Sequence, residues 1–212
     1  GIVSKPDLIK TEPEKGMVII RLGGPAYRIG MGGGAASSRN HSEKDKNANF
    51  NAVQRGDPEM ENKVNRVIKA CIELQTQNPI ISIHDQGAGG TANVTKEIVY
   101  PNGALINIDK ILSGDDSLSV LEKWVCEYQE QVSILVIPGA IKKIKQIAER
   151  ENCPCSVIGY VNNSKKIQLY EPSKSPKSPK SPKSPKSPKS SYPVDLNLED
   201  VLGKIPQKKY IL

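Results

Sequence analysis

Four stretches of this 212-residue chain bring together groups that could do chemistry. The first runs from Gly23 through Arg28, Gly30, Gly32, Gly33 and Gly34 to Ser37 and Ser38. Glycines admit positive φ and let backbone amides converge on an anion without side-chain obstruction. Arg28 would add a fixed positive charge, and Ser37 and Ser38 would add hydroxyl donors. The same composition also suits a plain flexible loop. The second stretch is Gln54-Arg55-Gly56-Asp57-Pro58-Glu59. Asp57 can cap a helix, or it can supply oxygen to Mg²⁺, an ion that usually shares carboxylates with substrate phosphates. Its two oxygens could divide the tasks. The third is His84-Asp85-Gln86-Gly87-Ala88-Gly89-Gly90, after an apolar run. Open α/β sheets place ligands at the carboxyl ends of strands. His84 could be an acid, a base or an orienting donor, or simply structural, and Asp85 before a glycine turn could serve local amides only. The fourth holds two carboxylates, Glu127 and Glu130, at what reads as a solvated helix end.

Position depends on the elements around these groups. Met17 to Leu22 reads as a buried strand leading into the first glycine stretch. Asp57, Pro58, Glu59 and Glu61 make a helix start, and Met60, Val64, Val67, Ile68 and Cys71 recur at helical spacing until Asn78-Pro79. Ile80 to Ile83 reads as a second buried strand, and Thr91 to Tyr100 as a second helix. Ser119 and Glu122 form a capping-box pattern at the head of a helix reaching Tyr128, with Leu121, Trp124, Val125 and Tyr128 as its apolar face. Val132 to Ile137 is a strand, Ile141 to Ala148 a helix, and Ser156 to Val161 and Lys166 to Tyr170 further strands. Alternating helices and apolar strands predict a layered α/β domain.

From Ser173 to Ser191 the chain repeats Ser-Pro-Lys, which lacks apolar side chains and reads as a disordered insertion within a domain of residues 1–172 and 192–212. The repeat also explains the charge. Without its six lysines the net +7 falls to +1, so a nucleic-acid partner is not expected for the folded part. Apolar residues make up 37% of the chain and aromatics 4%, which predicts an aliphatic core. The four cysteines lack zinc or disulfide spacing and read as thiols of a reducing compartment. No apolar run approaches the roughly 20 residues that span a bilayer, so no membrane partner is expected and the chain reads as cytoplasmic. It starts without methionine, as a piece of a larger protein would.

Taken in order, GMVIIRLGGPAYRIGMGGGAASS, FNAVQRGDPEMENKVNRVIKACIEL, NPIISIHDQGAGGTANVTKEIVYPNGA, GDDSLSVLEKWVCEYQE and PVDLNLEDVLGKIP resemble the large single-chain form of phosphoribosylformylglycinamidine synthase. The resembling part is the carboxyl-terminal subdomain of the first aminoimidazole-ribonucleotide-synthetase-like unit. The resemblance implies a mixed β-sheet flanked by helices, as in the C-terminal domain of aminoimidazole ribonucleotide synthetase. It implies a share in an ATP-dependent, glutamine-using ligase of purine biosynthesis acting on formylglycinamide ribonucleotide. It further implies Asp57 as a Mg²⁺ ligand at the nucleotide. Gln54, Arg28, Gly32, Gly33, Gly34, Ser37, Ser38, Asp85 and Gly89 are implied as substrate contacts. ATP, the formylglycinamide ribonucleotide, the remaining subdomains and a glutaminase domain are the implied partners, and catalysis by this chain alone is not expected. The alternative is a non-catalytic subdomain supporting a pseudo-symmetric nucleotide site.

Overall fold

The run that begins at Met17 becomes β1 (Val18–Gly23), whose six residues are all buried, as expected of a strand covered on both faces. The computed structural model describes residues 11–31, 56–127, 130–172 and 192–203. The further strands are β2 (Ser82–Asp85), β3 (Ala104–Asn107), β4 (Gln131–Val136), β5 (Cys155–Val161), β6 (Lys166–Tyr170) and β7 (Val194–Asn197). They form one seven-stranded sheet in the order β2-β4-β1-β5-β3-β6-β7. β3 and β6 pair in parallel, and the other named pairs are antiparallel. Among the described residues five helices flank it: α1 (Pro58–Ile72), α2 (Gly90–Val99), α3 (Val120–Val125), α4 (Ile141–Arg150) and α5 (Leu198–Leu202).

Strand alternation divides the core in two. Val18, Ile20 and Leu22 pack with Val64, Val67 and Cys71 of α1 and with Ile144 and Ile147 of α4. Ile19, facing the other way, packs with Ile98 and Val99 of α2, Trp124 of α3 and Leu198 of α5. This is the mixed sheet flanked by helices that the resemblance implied, and its buried side chains are mainly aliphatic.

Several elements differ from the sequence reading. The second strand is shifted toward His84 and Asp85 and lies at the sheet edge, with Ile83 exposed; pairing with β4, not hydropathy, sets its bounds. α1 stops at Ile72, before a 3₁₀ turn at Gln75–Gln77. α3 ends at Val125, short of Tyr128, and Leu121 faces solvent while Trp124 is buried. β3 has no counterpart in the sequence reading. The repeat from 173 to 191 lies outside the described residues, and the chain re-enters the sheet as β7, where Leu196 pairs with Ile167 of β6.

Candidate functional site

Antiparallel pairing puts the ends of β1 and β2 at the same end of β4, since Gly23 pairs with Gln131 and Asp85 with Val132. The two glycine turns thus leave the sheet two strand spacings apart, about 10 Å. Cys126, Glu127 and Gln131, from the end of α3 to the start of β4, lie between them and touch both. Gln131 Nε2 donates to the Gly24 carbonyl, and the Gln86 amide donates to the Gln131 carbonyl at 3.0 Å. Gln86 Nε2 donates to the Cys126 carbonyl at 3.3 Å.

Glu127 lies within this arrangement and is only 4% exposed. Its amide donates to the Ile29 carbonyl at 3.2 Å, and its Oε1 accepts from the Gly89 amide at 3.3 Å. Two glycines allow this approach. Gly30 has φ +68, and a Cβ there would lie 2.5 Å from Glu127 Cβ. Gly90 has φ +58, and a Cβ would lie 2.0 Å from the Cys126 carbonyl oxygen. Glu127 is therefore not part of a solvated helix end: packing from both glycine turns buries it.

Asp57 approaches from the other layer. It is the N-cap of α1, accepting from the Met60 amide at 3.0 Å, with Pro58 opening the helix as its fixed φ favours. Met60 lies over Gly24, 3.5 Å from where a Cβ would be. The Asp57 amide in turn donates to the Glu130 carboxylate. Burial pushes the Glu130 carboxyl above its ordinary value, the Asp57 amide opposes this, and the charges of Asp57 and Glu61 add to the rise. Among the described residues no three His, Cys, Asp or Glu side chains are grouped to hold a metal ion. Oxygen donors at Asp57 and Glu130 nevertheless suit Mg²⁺, which commonly takes one or two carboxylates and completes its shell with water and phosphate.

Arg28 is engaged by protein. Its Nε lies 2.7 Å from Glu122 Oε1, its NH2 donates to Ser117 Oγ at 3.1 Å, and its NH1 is 3.8 Å from Asp115. Glu122 also completes the capping box with Ser119. Arg28 and the Ser119 amide and hydroxyl together hold the Glu122 carboxyl at about 2. Arg28 thus fastens the first glycine stretch to the head of α3.

Asp85 extends into solvent with its side chain 91% exposed. His84 lies 2.6 Å through Nε2 from Glu97 Oε2 and 2.8 Å through Nδ1 from the Asp85 carbonyl, so both ring nitrogens are occupied locally. Gly89, at φ +82, is the N-cap of α2. Arg28, Asp57, Asp85 and Gly89 therefore surround one end of the sheet. Gln54, Gly32, Gly33, Gly34, Ser37 and Ser38 lie outside the described residues. Gln86, Glu127 and Gln131 join the motifs, a role that sequence reasoning misses. Their polarity at the junctions of strands and helices is the local signal of it.

A family model described as AIR synthase related protein, C-terminal domain, matches residues 14–171. The chain belongs to this family. It is 49% identical over 210 residues to the Arabidopsis thaliana "Probable phosphoribosylformylglycinamidine synthase, chloroplastic/mitochondrial", covering 99% of the chain and 15% of that protein. It is 43% identical over 213 residues to the Homo sapiens phosphoribosylformylglycinamidine synthase, covering all of the chain and 16% of that protein. The chain thus spans about 15% of the length of the Arabidopsis relative, and the resemblance seen in the motifs holds at the level of family and segment. Among solved structures, Thermotoga maritima PurL complexed with FGAR superposes with a TM-score of 0.73 at 18% identity, over 96% of this chain and 30% of that one. PurL complexed with ATP gives 0.70 at 19% identity, over 99% and 29%. Both show a shared fold. Among the described residues no helix is long and apolar enough to cross a membrane.

Proposed function

We propose that this chain forms part of the synthetase site of a phosphoribosylformylglycinamidine synthase. The reaction of that ligase consumes formylglycinamide ribonucleotide, ATP, glutamine and water, and yields formylglycinamidine ribonucleotide, ADP, phosphate and glutamate. One observation carries the reading: the Gly24–Gly30 loop, the Gly87–Gly90 turn and the start of α1, distant in sequence, meet at one end of the sheet. The names of the relatives and the FGAR and ATP complexes of PurL supply the substrate classes.

In this reading the first glycine turn presents backbone amides to phosphate groups. The second, whose Gly89 and Gly90 amides bond to Glu127 and to the Gly87 carbonyl, shapes the start of α2, which adds the positive end of its dipole. Arg28 fixes the first turn, while Gly32, Gly33, Gly34, Ser37, Ser38 and Gln54 extend the contact to the ribonucleotide. Asp85 and Gly89 line the same cleft. Asp57, with Glu130 beside it, would hold Mg²⁺, which when bound neutralises charge on the nucleotide phosphates. ATP is a co-substrate. The partners are the remaining subdomains and a glutaminase domain, without which this chain is inactive. We place the protein in the cytoplasm because none of its four cysteines is joined in a disulfide, although the Arabidopsis relative is named for plastid and mitochondrion.

A second reading, a structural subdomain beside a pseudo-symmetric site, is favoured by Asp57 acting as a cap and by Arg28 being held by Glu122. Asp57→Asn in the full-length enzyme separates the two, because asparagine caps as well as aspartate. Synthesis should fall on the order of 10²-fold with melting temperature and glutamine hydrolysis retained, as for loss of a charge-stabilising group. Unchanged synthesis would overturn the ligand role and support the structural reading.

A further inference from the structure

We infer that Glu127 is a positioning residue that sets the spacing of the two glycine turns and thereby tunes affinity for the phosphorylated substrate. The inference rests on the proposed synthetase reading and adds to it a residue outside the predicted substrate contacts. A carboxylate that is only 4% exposed needs compensating hydrogen bonds, and Glu127 has one from the Gly89 amide. Its own amide holds Ile29, and its Cβ and Cγ fill the space that Gly30 leaves empty. One residue thus fixes the first turn through backbone and packing, and the second through its carboxylate. Gln86 and Gln131 are engaged elsewhere, donating to the carbonyls of Cys126 and Gly24.

The geometry makes side-chain length decisive. Aspartate keeps the charge but shortens the reach by one methylene, so its carboxylate withdraws from the Gly89 amide. Glutamine keeps the reach and an acceptor oxygen while losing the charge. A substrate phosphate would then meet correctly spaced amides in the glutamine variant and misplaced ones in the aspartate variant.

The test uses the full-length enzyme and compares Glu127→Asp with Glu127→Gln. Steady-state kinetics with formylglycinamide ribonucleotide is combined with hydrogen–deuterium exchange of segments 23–31 and 86–90, with and without that ribonucleotide. The expected result is a KM for the ribonucleotide raised about 10-fold or more by Glu127→Asp, as for loss of a hydrogen bond to a charged group. The KM for ATP should stay within about two-fold of wild type, and Glu127→Gln should recover most of the ribonucleotide affinity. Ribonucleotide protection of both segments should be present in wild type and weakened in Glu127→Asp. Protection in wild type with an unchanged KM in Glu127→Asp overturns the positioning role and leaves the synthetase reading intact. The positioning role is likewise overturned if Glu127→Asp lowers only the melting temperature, or if both variants lose affinity equally. Absence of protection of either segment in wild type overturns the synthetase reading itself.

Discussion

Beneath α1 and α4 the central strands present Val18, Ile20, Leu22, Ile134 and Val136, while beneath α2 the same sheet presents Arg21, Ser82 and Ser133 alongside Ile19 and Leu135. Arg21 is 6% exposed and donates to Thr91 Oγ1 at 2.5 Å, and Thr91 and Thr95 of α2 are fully buried. Buried polar groups lower stability unless each is paired, and packed aliphatic side chains raise it. The α1/α4 side therefore supports the fold, whereas the α2 side gives up stability close to the turns that form the candidate site. Its polar residues hold the Gly87–Gly90 turn in place, and they do so from strands that continue into Gly23 and Gln131.

The largest effect should come from the apolar side. Ile20 is fully buried between α1 and β1's neighbours, and Ile20→Ala should cost about 2–5 kcal/mol in denaturant unfolding. Ligand affinity of the folded fraction should be unchanged, because Ile20 lies in the middle of β1, away from the strand end where the site gathers. Comparable loss of affinity and stability would erase the division of labour between the faces. Gly90→Ala should follow. A Cβ would lie 2.0 Å from the Cys126 carbonyl oxygen at φ +58, so strain of roughly 1–3 kcal/mol is expected in the melting free energy, together with displacement of the α2 start. Unlike Ile20→Ala, it should also weaken ribonucleotide binding. An alanine variant of wild-type stability would show that the second turn is not pressed against the Cys126 backbone as described.

The Arg28 network gives a pH-dependent, smaller contrast. Glu122 is held at about 2 against an ordinary 4.5. Its contribution to stability is fully present above about 4.5 and disappears as pH falls toward about 2, because the unfolded chain takes up the proton first. Glu122→Gln should therefore flatten part of the acid limb of the melting-temperature profile between those values and leave the neutral region's slope unchanged. Parallel profiles for wild type and variant would mean that Arg28 does not hold the first glycine stretch through Glu122.

These contrasts follow how far local sequence carries a structural reading. Asp57, Pro58 and the Ser119–Glu122 box act over three or four residues, so their roles as caps are visible in the chain and recur in the structure. The buried faces of α1 and α4 are equally visible, because helical periodicity records which side meets a core. Glu127 reads as solvated from sequence because its burial is imposed by Gly30 and Gly89, which lie 97 and 38 residues away in the chain. α3 stops early for a related reason: Gly90 packs directly against the backbone at Cys126. The apolar run places β2 two residues too early because edge pairing with β4 outweighs it, and the four-residue β3 is too short to show alternation. The convergence of the motifs at one end of the sheet needs strand order, which no local pattern supplies.

The smallest expected effect tests the polar face most directly. Ser133 is fully buried, pairs across the sheet with Arg21 and His84, and its Oγ has no hydrogen-bond partner among the described residues. An unpartnered buried hydroxyl is a net cost, and removing it deletes one oxygen without opening a large cavity. Ser133→Ala should therefore be neutral or stabilising by up to about 1 kcal/mol in denaturant unfolding. That is the opposite sign to Ile20→Ala, although Ile20 pairs with Ile134, the very next residue of β4. If Ser133→Ala destabilises by more than about 1 kcal/mol, the hydroxyl has a partner such as a bound water, and the α2 face is held together by its polar groups instead of strained by them.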